Sequence, residues 1–145
     1  REIRSCEKES GIEDLRIGFR SRYNIPPVLL DDEAISQALH NILDNAAKFS
    51  PMDRSVDVEV RTERDAVEIA VQDRGIGIPE NEQKKIFEKF YRGKRAASVS
   101  PTGTGLGLAL VRHIVDAHHG DVVIQSRPGE GCRVTIILPI QGGKP

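Results

Sequence analysis

The sequence predicts an α/β fold, a two-layer sandwich in which a mixed and mostly antiparallel sheet carries helices on one face. Two pairs of short segments alternate apolar and polar residues, within 56–72 and 122–138, as the half-buried strands of antiparallel hairpins do. Two longer segments, near 32–49 and 105–119, repeat apolar residues at helical spacing. A length of 145 residues suits a single domain, so we expect residues 1–145 to form one unit.

Composition excludes several classes of function. The formal net charge is −1, which predicts neither a nucleic-acid surface nor contact of this chain with a membrane. The two cysteines, Cys6 and Cys132, form no C-x-x-C motif, so no zinc site is predicted; reduced thiols are expected and a single disulfide stays open. No apolar run approaches the ~18 residues that a membrane-spanning helix needs, so no such helix is predicted. The chain begins at Arg1 without a signal peptide, so we expect a cytoplasmic fragment of a longer protein.

The first half of the chain contains one strand and one informative helix. Residues 1–10 are highly charged and are expected to be the tail of an upstream helix, and alternation at 15–19 predicts a strand. Asp31 or Asp32 is a suitable N-cap for a helix that runs to about Phe49, where Ser50 and Pro51 end it. Its apolar stripe comprises Ile35, Leu39, Ile42, Ala46 and Phe49.

Polar side chains border that stripe. Asn41, Asn45 and Lys48 fall together on one flank, within roughly 60° of each other around the helix. Such a flank is most often simply solvated. Two asparagines beside a buried face are less usual, and the sequence therefore favours a functional role for this edge.

The second half alternates hairpins with helical segments. Strands at 56–62 and 67–71 place Asp73 at a strand end, and a second hairpin spans 122–138. Residues 80–90 are expected to be helical, and 92–104 to form a mobile polar loop. A helix over 105–119 would end at Gly120. Its predicted core positions are Leu106, Leu110, Ile114 and Ala117.

Four motifs in this order make the chain similar to a known family. His40–Phe49 resembles the N box, Asp73–Pro79 the first glycine box, Ile86–Arg92 the F box and Gly103–Leu110 the second glycine box of sensor histidine kinases. The ending Leu138-Pro139 also fits. The chain thus resembles the catalytic ATP-binding domain of a bacterial sensor histidine kinase, of the GHKL ATPase type, from about residue 12 onward. No Walker A or Rossmann motif is present.

The resemblance assigns the adenine end of a nucleotide site. Asp73 would accept a hydrogen bond from the exocyclic amine of adenine, for which guanine offers no equivalent donor. A turn-forming aspartate is the alternative for Asp73 taken alone. The neighbouring cofactor-binding positions that the resemblance implies are Gly75, Ile76, Gly77 and Ile78.

The resemblance also assigns the metal and phosphate end. Asn45 would hold Mg²⁺ through its amide oxygen, since Mg²⁺ prefers hard oxygen ligands shared with phosphates. Asn41 and Lys48 would face the same phosphates. The second glycine box precedes a helix, whose free N–H groups and dipole suit phosphate. It contributes Gly103, Thr104, Gly105, Leu106, Gly107 and Leu108.

Three further residues complete the expected set. Arg92 is expected to reach the γ-phosphate, and with Asn45 and Lys48 it makes up the catalytic group; a solvated basic loop is the alternative reading for Lys94 and Arg95. Phe87 is expected to pack and to tether the lid beside the nucleotide, and Thr135 is placed among the cofactor-binding residues. Three positions depart from the family pattern, namely Phe49, Asp121 and Cys132, the last where a small hydroxyl residue is usual.

The resemblance implies an ATP-dependent histidine protein kinase of a two-component system, with ATP and Mg²⁺ as cofactors. Its partners would be a dimerisation domain that carries the phospho-acceptor histidine, and a response regulator receiver domain. The full-length protein is expected to be a homodimer, with an inner-membrane anchor as one option. None of His40, His113, His118 and His119 has the sequence context of the acceptor. An anti-sigma-type serine protein kinase and a non-catalytic nucleotide-sensing pseudokinase are the alternatives.

Overall fold

A computed structural model of the chain describes residues 3–9, 16–22, 25–26, 28–49, 55–88 and 107–140. These residues form one six-stranded sheet and two α-helices. The strands are β1 (Ile3–Glu9), β2 (Arg16–Arg22), β3 (Ser55–Glu63), β4 (Ala66–Gln72), β5 (Asp121–Ser126) and β6 (Cys132–Pro139). The helices are α1 (Asp32–Lys48) and α2 (Gly107–Ala117).

The sheet is mixed, as predicted. Its strand order is β1-β2-β3-β4-β6-β5, and β2 pairs with β3 in parallel while the other neighbours are antiparallel. The parallel pair needs a crossover connection, and α1 lies in the segment that supplies it. The two predicted hairpins are confirmed as β3–β4 and β5–β6.

The core lies between the helices and one face of the sheet. On β6 Val134, Ile136 and Leu138 are buried and lie on one side of the strand, where they share a core with residues of the helices. The helices contribute Ile35, Ala38, Ile42, Val111, Ile114 and Val115 to the same core. Burying each larger aliphatic side chain stabilises the fold by about 1.5–3 kcal/mol, so this layer holds the helices against the sheet.

Helix α1 begins where the sequence predicts. Asp31 is the N-cap, and its Oδ1 accepts a hydrogen bond from the backbone N–H of Ala34 (3.1 Å). Asp32 and Glu33 lie in the first turn, where negative charge is favourable to the helix dipole. Phe49 is the C-cap. Residues next to each end of the helix therefore determine where it begins and ends.

Two predicted helical segments differ in the structure. Residues 3–9 form β1 rather than the tail of a helix, because a helix of ~10 residues is marginal alone whereas β2 offers backbone partners along its edge. Residues 80–88 contain two 3₁₀ turns, Glu80–Glu82 and Lys85–Phe87, in place of one helix. These turns are tighter than those of an α-helix because their hydrogen bonds join residues three apart, such as the N–H of Glu82 and the carbonyl of Pro79 (2.9 Å).

The predicted apolar stripe of α2 is wrong in part. Leu110 is 39 % exposed and Ala117 is also exposed, whereas Val111, Ile114 and Val115 are buried. The helix packs against α1 on one side and against β5 and β6 on another, so its buried face is centred one residue further along. Leu106 and the predicted lid at 92–104 lie outside the described residues. Within the described residues, no helix has both the length and the apolarity that crossing a membrane requires.

Candidate functional site

Asp73 follows β4 directly and is held by the start of β6. Its Oδ1 accepts hydrogen bonds from the backbone N–H groups of Gly75 (2.9 Å) and Cys132 (3.0 Å). The backbone N–H of Asp73 donates to the carbonyl of Cys132 (2.9 Å). The Oδ2 atom has no hydrogen bond to the described part of the chain, so the carboxylate keeps one oxygen available to a ligand.

The surroundings of Asp73 are partly desolvated. Burial raises the pKa of the Asp73 carboxyl above its usual value, and the hydrogen bonds from Gly75 and Cys132 oppose this rise. A half-buried acceptor discriminates more strongly between ligands than an exposed one. A ligand that offers it no donor removes water from the carboxylate without replacing the lost hydrogen bond. The carboxylate is therefore suited to recognise a donor group.

The loop after Asp73 is seated on the β5–β6 turn. Gly77 has a φ of +76°, and a side chain there would overlap the carbonyl of Arg127. A side chain at Gly131, at φ +81°, would overlap the carbonyl of Asp73 in the same way. Only glycine fits these two positions, and the loop and the turn consequently lie in direct backbone contact.

Ser126 and Gln83 fasten this contact. The Ser126 hydroxyl accepts from the N–H of Ile78 (2.8 Å) and donates to the carbonyl of Gly131 (2.6 Å). The Gln83 amide donates to the carbonyls of Ile78 and Ser126, each at 3.0 Å. The sequence analysis predicted neither residue, and no local pattern marks them, since each makes one of its bonds to a residue far away in sequence, 48 positions for Ser126 to Ile78 and 43 for Gln83 to Ser126.

Cys132 lies beside the Asp73 carboxylate. Burial raises the pKa of its thiol to about 12, the negative charge of Asp73 adds to the rise, and a hydrogen bond with Ser126 opposes it. The thiol therefore stays protonated at neutral pH. It is a free cysteine, and it packs as a small apolar residue at the base of the site.

Asn41 and Asn45 meet the first residue of α2. A Cβ atom at Gly107 would lie 3.9 Å from both Asn41 Cβ and Asn45 Oδ1, and Asn41 Nδ2 donates to the Gly107 carbonyl (3.3 Å). Asn41 Oδ1 accepts from Gln37 (3.1 Å). The Asn45 amide makes no hydrogen bond to the described residues. Its carbonyl oxygen thus fits a hard cation beside a helix start that favours anions.

Lys48 lies at the outer margin of this cluster. Its Nζ is 3.0 Å from Asp44 Oδ2, and both side chains are about two-fifths exposed. An exposed pair of this kind contributes little stability, so Lys48 can exchange its partner at small cost. The carbonyl of Phe49, just after Lys48, accepts from the N–H of Ile76 (3.1 Å), which joins the end of α1 to the Asp73 loop.

Phe87 packs against the core beside α2. The guanidinium carbon of Arg112 lies 4.8 Å from the centre of its ring, a cation–π contact. Arg112 also pairs with Asp121 (3.2 Å). Ile78 and Leu108 likewise pack against the core as partly buried residues.

Thr135 lies away from Asp73. It pairs with Ala70 on β4, whereas Asp73 contacts Cys132, the first residue of β6. Strand alternation also turns its side chain to the opposite face from Val134 and Ile136. The predicted residues Arg92, Gly103, Thr104, Gly105 and Leu106 lie outside the described part of the chain.

Comparison with protein families identifies the class. Residues 30–142 match the family of histidine kinase-, DNA gyrase B- and HSP90-like ATPases, and the chain belongs to this family. The domain that defines this family is an ATP-binding domain.

Individual relatives identify the branch of the family. The chain is 42 % identical over 112 residues to the sensor-like histidine kinase SenX3 of Mycobacterium tuberculosis (strain ATCC 25618 / H37Rv), covering 77 % of this chain. The match covers 27 % of SenX3, so the chain spans about a quarter of that relative's length. The predicted resemblance to the catalytic domain of sensor histidine kinases is confirmed.

Solved structures agree with this placement. The mycobacterial sensor histidine kinase MprB has a TM-score of 0.69 at 33 % identity, with 86 % of this chain and 82 % of that chain covered. Full-length ShkA in complex with AMPPNP has a TM-score of 0.73 at 29 % identity, with 90 % and 26 % covered. The predicted fold class is confirmed by these neighbours.

Proposed function

We propose that this chain is the domain that presents Mg-ATP in a sensor histidine kinase, and that the whole protein transfers the γ-phosphoryl group to a histidine of a separate dimerisation domain. The observation that carries the proposal is Asp73 at the end of β4, with Oδ1 fixed by two backbone N–H groups and Oδ2 without a hydrogen bond to the described residues. The ATP analogue in the ShkA structure supports an adenine nucleotide as the ligand. Relatives such as SenX3 support the kinase class.

Each end of the site has a distinct task. Asp73 accepts from the adenine amine, and the Gly75–Ile78 loop supports its carboxylate. Asn45 is the candidate ligand of Mg²⁺, and a bound Mg²⁺ would neutralise part of the phosphate charge. Asn41, Gly107 and the first turn of α2 border the phosphates, and Lys48 supplies positive charge after leaving Asp44. Arg92 remains the proposed contact to the γ-phosphate.

The proposed partners follow from the chemistry of the reaction. Phosphoryl transfer depends mainly on positioning and charge stabilisation, so this domain supplies the nucleotide while the dimerisation domain supplies the nucleophile. We propose a response regulator receiver domain as the next acceptor, and a homodimer as the state of the whole protein. Serine kinases and pseudokinases of the same superfamily are not favoured, since sensor histidine kinases are the relatives that match.

Titration calorimetry of the chain with ADP tests the proposal. We expect binding in the presence of Mg²⁺, with Asp73→Asn weakening the affinity roughly 10- to 100-fold, the effect of removing one hydrogen bond to a charged group. Asp116→Asn is the matched control, because Asp116 is exposed on α2 and its only described ion pair is a long one to Arg112 (4.0 Å). The affinity for ADP should be higher with Mg²⁺ than with EDTA in the unsubstituted chain, and Asn45→Ala should abolish this difference.

The contrary results are specific. A folded chain that does not bind ADP would refute the nucleotide site. Equal losses in Asp73→Asn and Asp116→Asn would remove Asp73 from adenine recognition. An unchanged Mg²⁺ effect in Asn45→Ala would remove Asn45 from the metal.

A further inference from the structure

The two helices run antiparallel, and one hydrogen bond joins them near each end of α2. At one end Asn41 Nδ2 donates to the carbonyl of Gly107 (3.3 Å). At the other, the backbone N–H of Asp31 donates to Nε2 of His118 (2.9 Å), in the turn after α2. Within the described part of the chain, these two bonds are the hydrogen bonds that join the segments of the two helices, and they add directional contacts to the apolar packing between them.

The bonds of His118 specify one state of its ring. A carbonyl only accepts, so the contact of Nδ1 with the Ile114 carbonyl (2.8 Å) places a hydrogen on Nδ1. The Asp31 N–H only donates, so Nε2 carries no hydrogen. His118 is therefore neutral and in the Nδ1–H tautomer, with both nitrogens engaged.

His118 accepts the backbone N–H of the N-cap residue, a role that a residue of α1 itself can have in other helices. In a capping box, a Glu or Gln at the third helical residue accepts the N–H of the N-cap residue. Here the third helical residue is Ala34, which has no side-chain acceptor, and the N–H of Asp31 turns to the other helix instead. The backbone N–H of the N-cap residue of α1 therefore has its acceptor in the turn after α2.

The opposite end of the same helix pair forms the phosphate end of the site. Asn41 and Asn45 lie against Gly107, and a shift of α1 along α2 would move both amides relative to the first turn of α2. Helices are stiff over this length, about 15 Å from Asp31 to Asn41, so a displacement at one end is transmitted to the other.

We propose that His118 is a positioning residue for the phosphate end of the nucleotide. Its neutral ring holds the start of α1 against the end of α2 and thereby sets Asn45 opposite the first turn of α2. This inference rests on the nucleotide site proposed above. It does not involve Asp73, which lies at the end of β4 and is proposed to bind the adenine.

Two substitutions at His118 separate its two bonds. In His118→Asn the amide nitrogen takes the place of Nδ1 and keeps the bond to Ile114, but the side chain is too short to reach Asp31. In His118→Gln the amide oxygen takes the place of Nε2 and keeps the bond to Asp31, while the bond to Ile114 is lost. Each variant removes one neutral hydrogen bond, so each should lower the unfolding midpoint to a similar degree.

The measurement compares ADP, by calorimetry with Mg²⁺, and adenosine, by NMR titration. We expect His118→Asn to weaken ADP binding roughly fivefold, the effect of one lost hydrogen bond, while its adenosine affinity is unchanged. His118→Gln should stay within about twofold of the unsubstituted chain for both ligands. Equal losses in the two variants, or parallel losses of ADP and adenosine, would overturn the proposal.

Nitrogen NMR of the unsubstituted chain gives an independent test. The ¹⁵N shifts of His118 should show a protonated Nδ1 and a bare Nε2, and a hydrogen on Nε2 would overturn the proposal even if a variant failed to fold. If the unsubstituted chain binds neither ADP nor adenosine, the proposed function itself fails. That result is distinct from one in which ADP binds and the two variants do not differ.

Discussion

At the residue scale, the role proposed for Asp73 in nucleotide recognition has a cost in stability. A buried carboxyl with a raised pKa holds its proton more tightly in the folded chain than in the unfolded chain. Between the two pKa values the folded state therefore binds more protons, and stability falls as pH rises through the folded pKa. The ionised form that an adenine amine requires is the form that destabilises the free domain.

Asp73→Asn should accordingly remove part of the pH dependence of folding. The stability that protonated Asp73 contributes is fully present below its unfolded pKa and is lost as pH rises through the folded value. Asn keeps an oxygen for the N–H groups of Gly75 and Cys132 but does not titrate. Urea unfolding measured from pH 3 to pH 8 should show the variant gaining stability relative to the unsubstituted chain as pH rises, with stability at neutral pH equal to or above that of the unsubstituted chain.

Asp116→Asn provides the control for that profile, since this exposed carboxyl lies outside the buried site. A profile for Asp73→Asn that is parallel to that of the unsubstituted chain across the whole range would show that Asp73 has no part in the pH dependence.

At the element scale, the end of α2 places a histidine, His119, in a backbone conformation that usually requires glycine. The N–H groups of His119 and Gly120 bond the carbonyls of Asp116 and Val115 (both 3.0 Å), a Schellman-type ending. His119 has a φ of +60°, the left-handed conformation for which glycine is usual. A side chain in this conformation costs roughly 1–2 kcal/mol.

His119→Gly should therefore raise the free energy of unfolding by about 0.5–1 kcal/mol, part of the relieved strain being offset by the greater freedom of glycine in the unfolded chain. His113→Gly is the matched control, because His113 is exposed within α2 and the same change there should destabilise by about 1 kcal/mol. Denaturant unfolding measures both. Shifts of the same sign in the two variants would contradict this account.

The elements also show what a single sequence reveals. The N-cap at Asp31 and the strand end before Asp73 were predictable, because both depend on residues a few positions apart. The role of Cys132 as the partner of Asp73 was not, since it depends on the pairing of β4 with β6. The charged segment of β1 was wrongly predicted as helix for a similar reason, its strand state being set by β2.

At the scale of the whole molecule, the described histidines are unsuited to accept phosphate from this site. His118 is tied to Asp31 and Ile114, and His119 lies at the same end of α2, opposite the end that meets Asn45. His40 and His113 are exposed, and neither belongs to the cluster around Asp73 or Asn45. The nucleophile is thus expected on the dimerisation domain.

Incubation of the chain with labelled ATP and Mg²⁺ should therefore give no phosphohistidine, because transfer requires a positioned acceptor. The full-length protein under the same conditions should become labelled with acid-labile phosphate. Label on a histidine of the chain alone would contradict the assignment, and an unlabelled full-length protein would argue against a kinase.

The position of β6 in the sheet has a consequence for biogenesis. β6 is the last of the six strands to leave the ribosome, yet it inserts between β4 and β5, and its first residue, Cys132, fixes the carboxylate of Asp73. A nascent chain that ends before β6 thus lacks the N–H of Cys132, one of the two that hold the Asp73 carboxylate. The nucleotide recognition proposed for Asp73 is therefore expected only after β6 has been translated, and chains truncated before β6 are not expected to bind ATP.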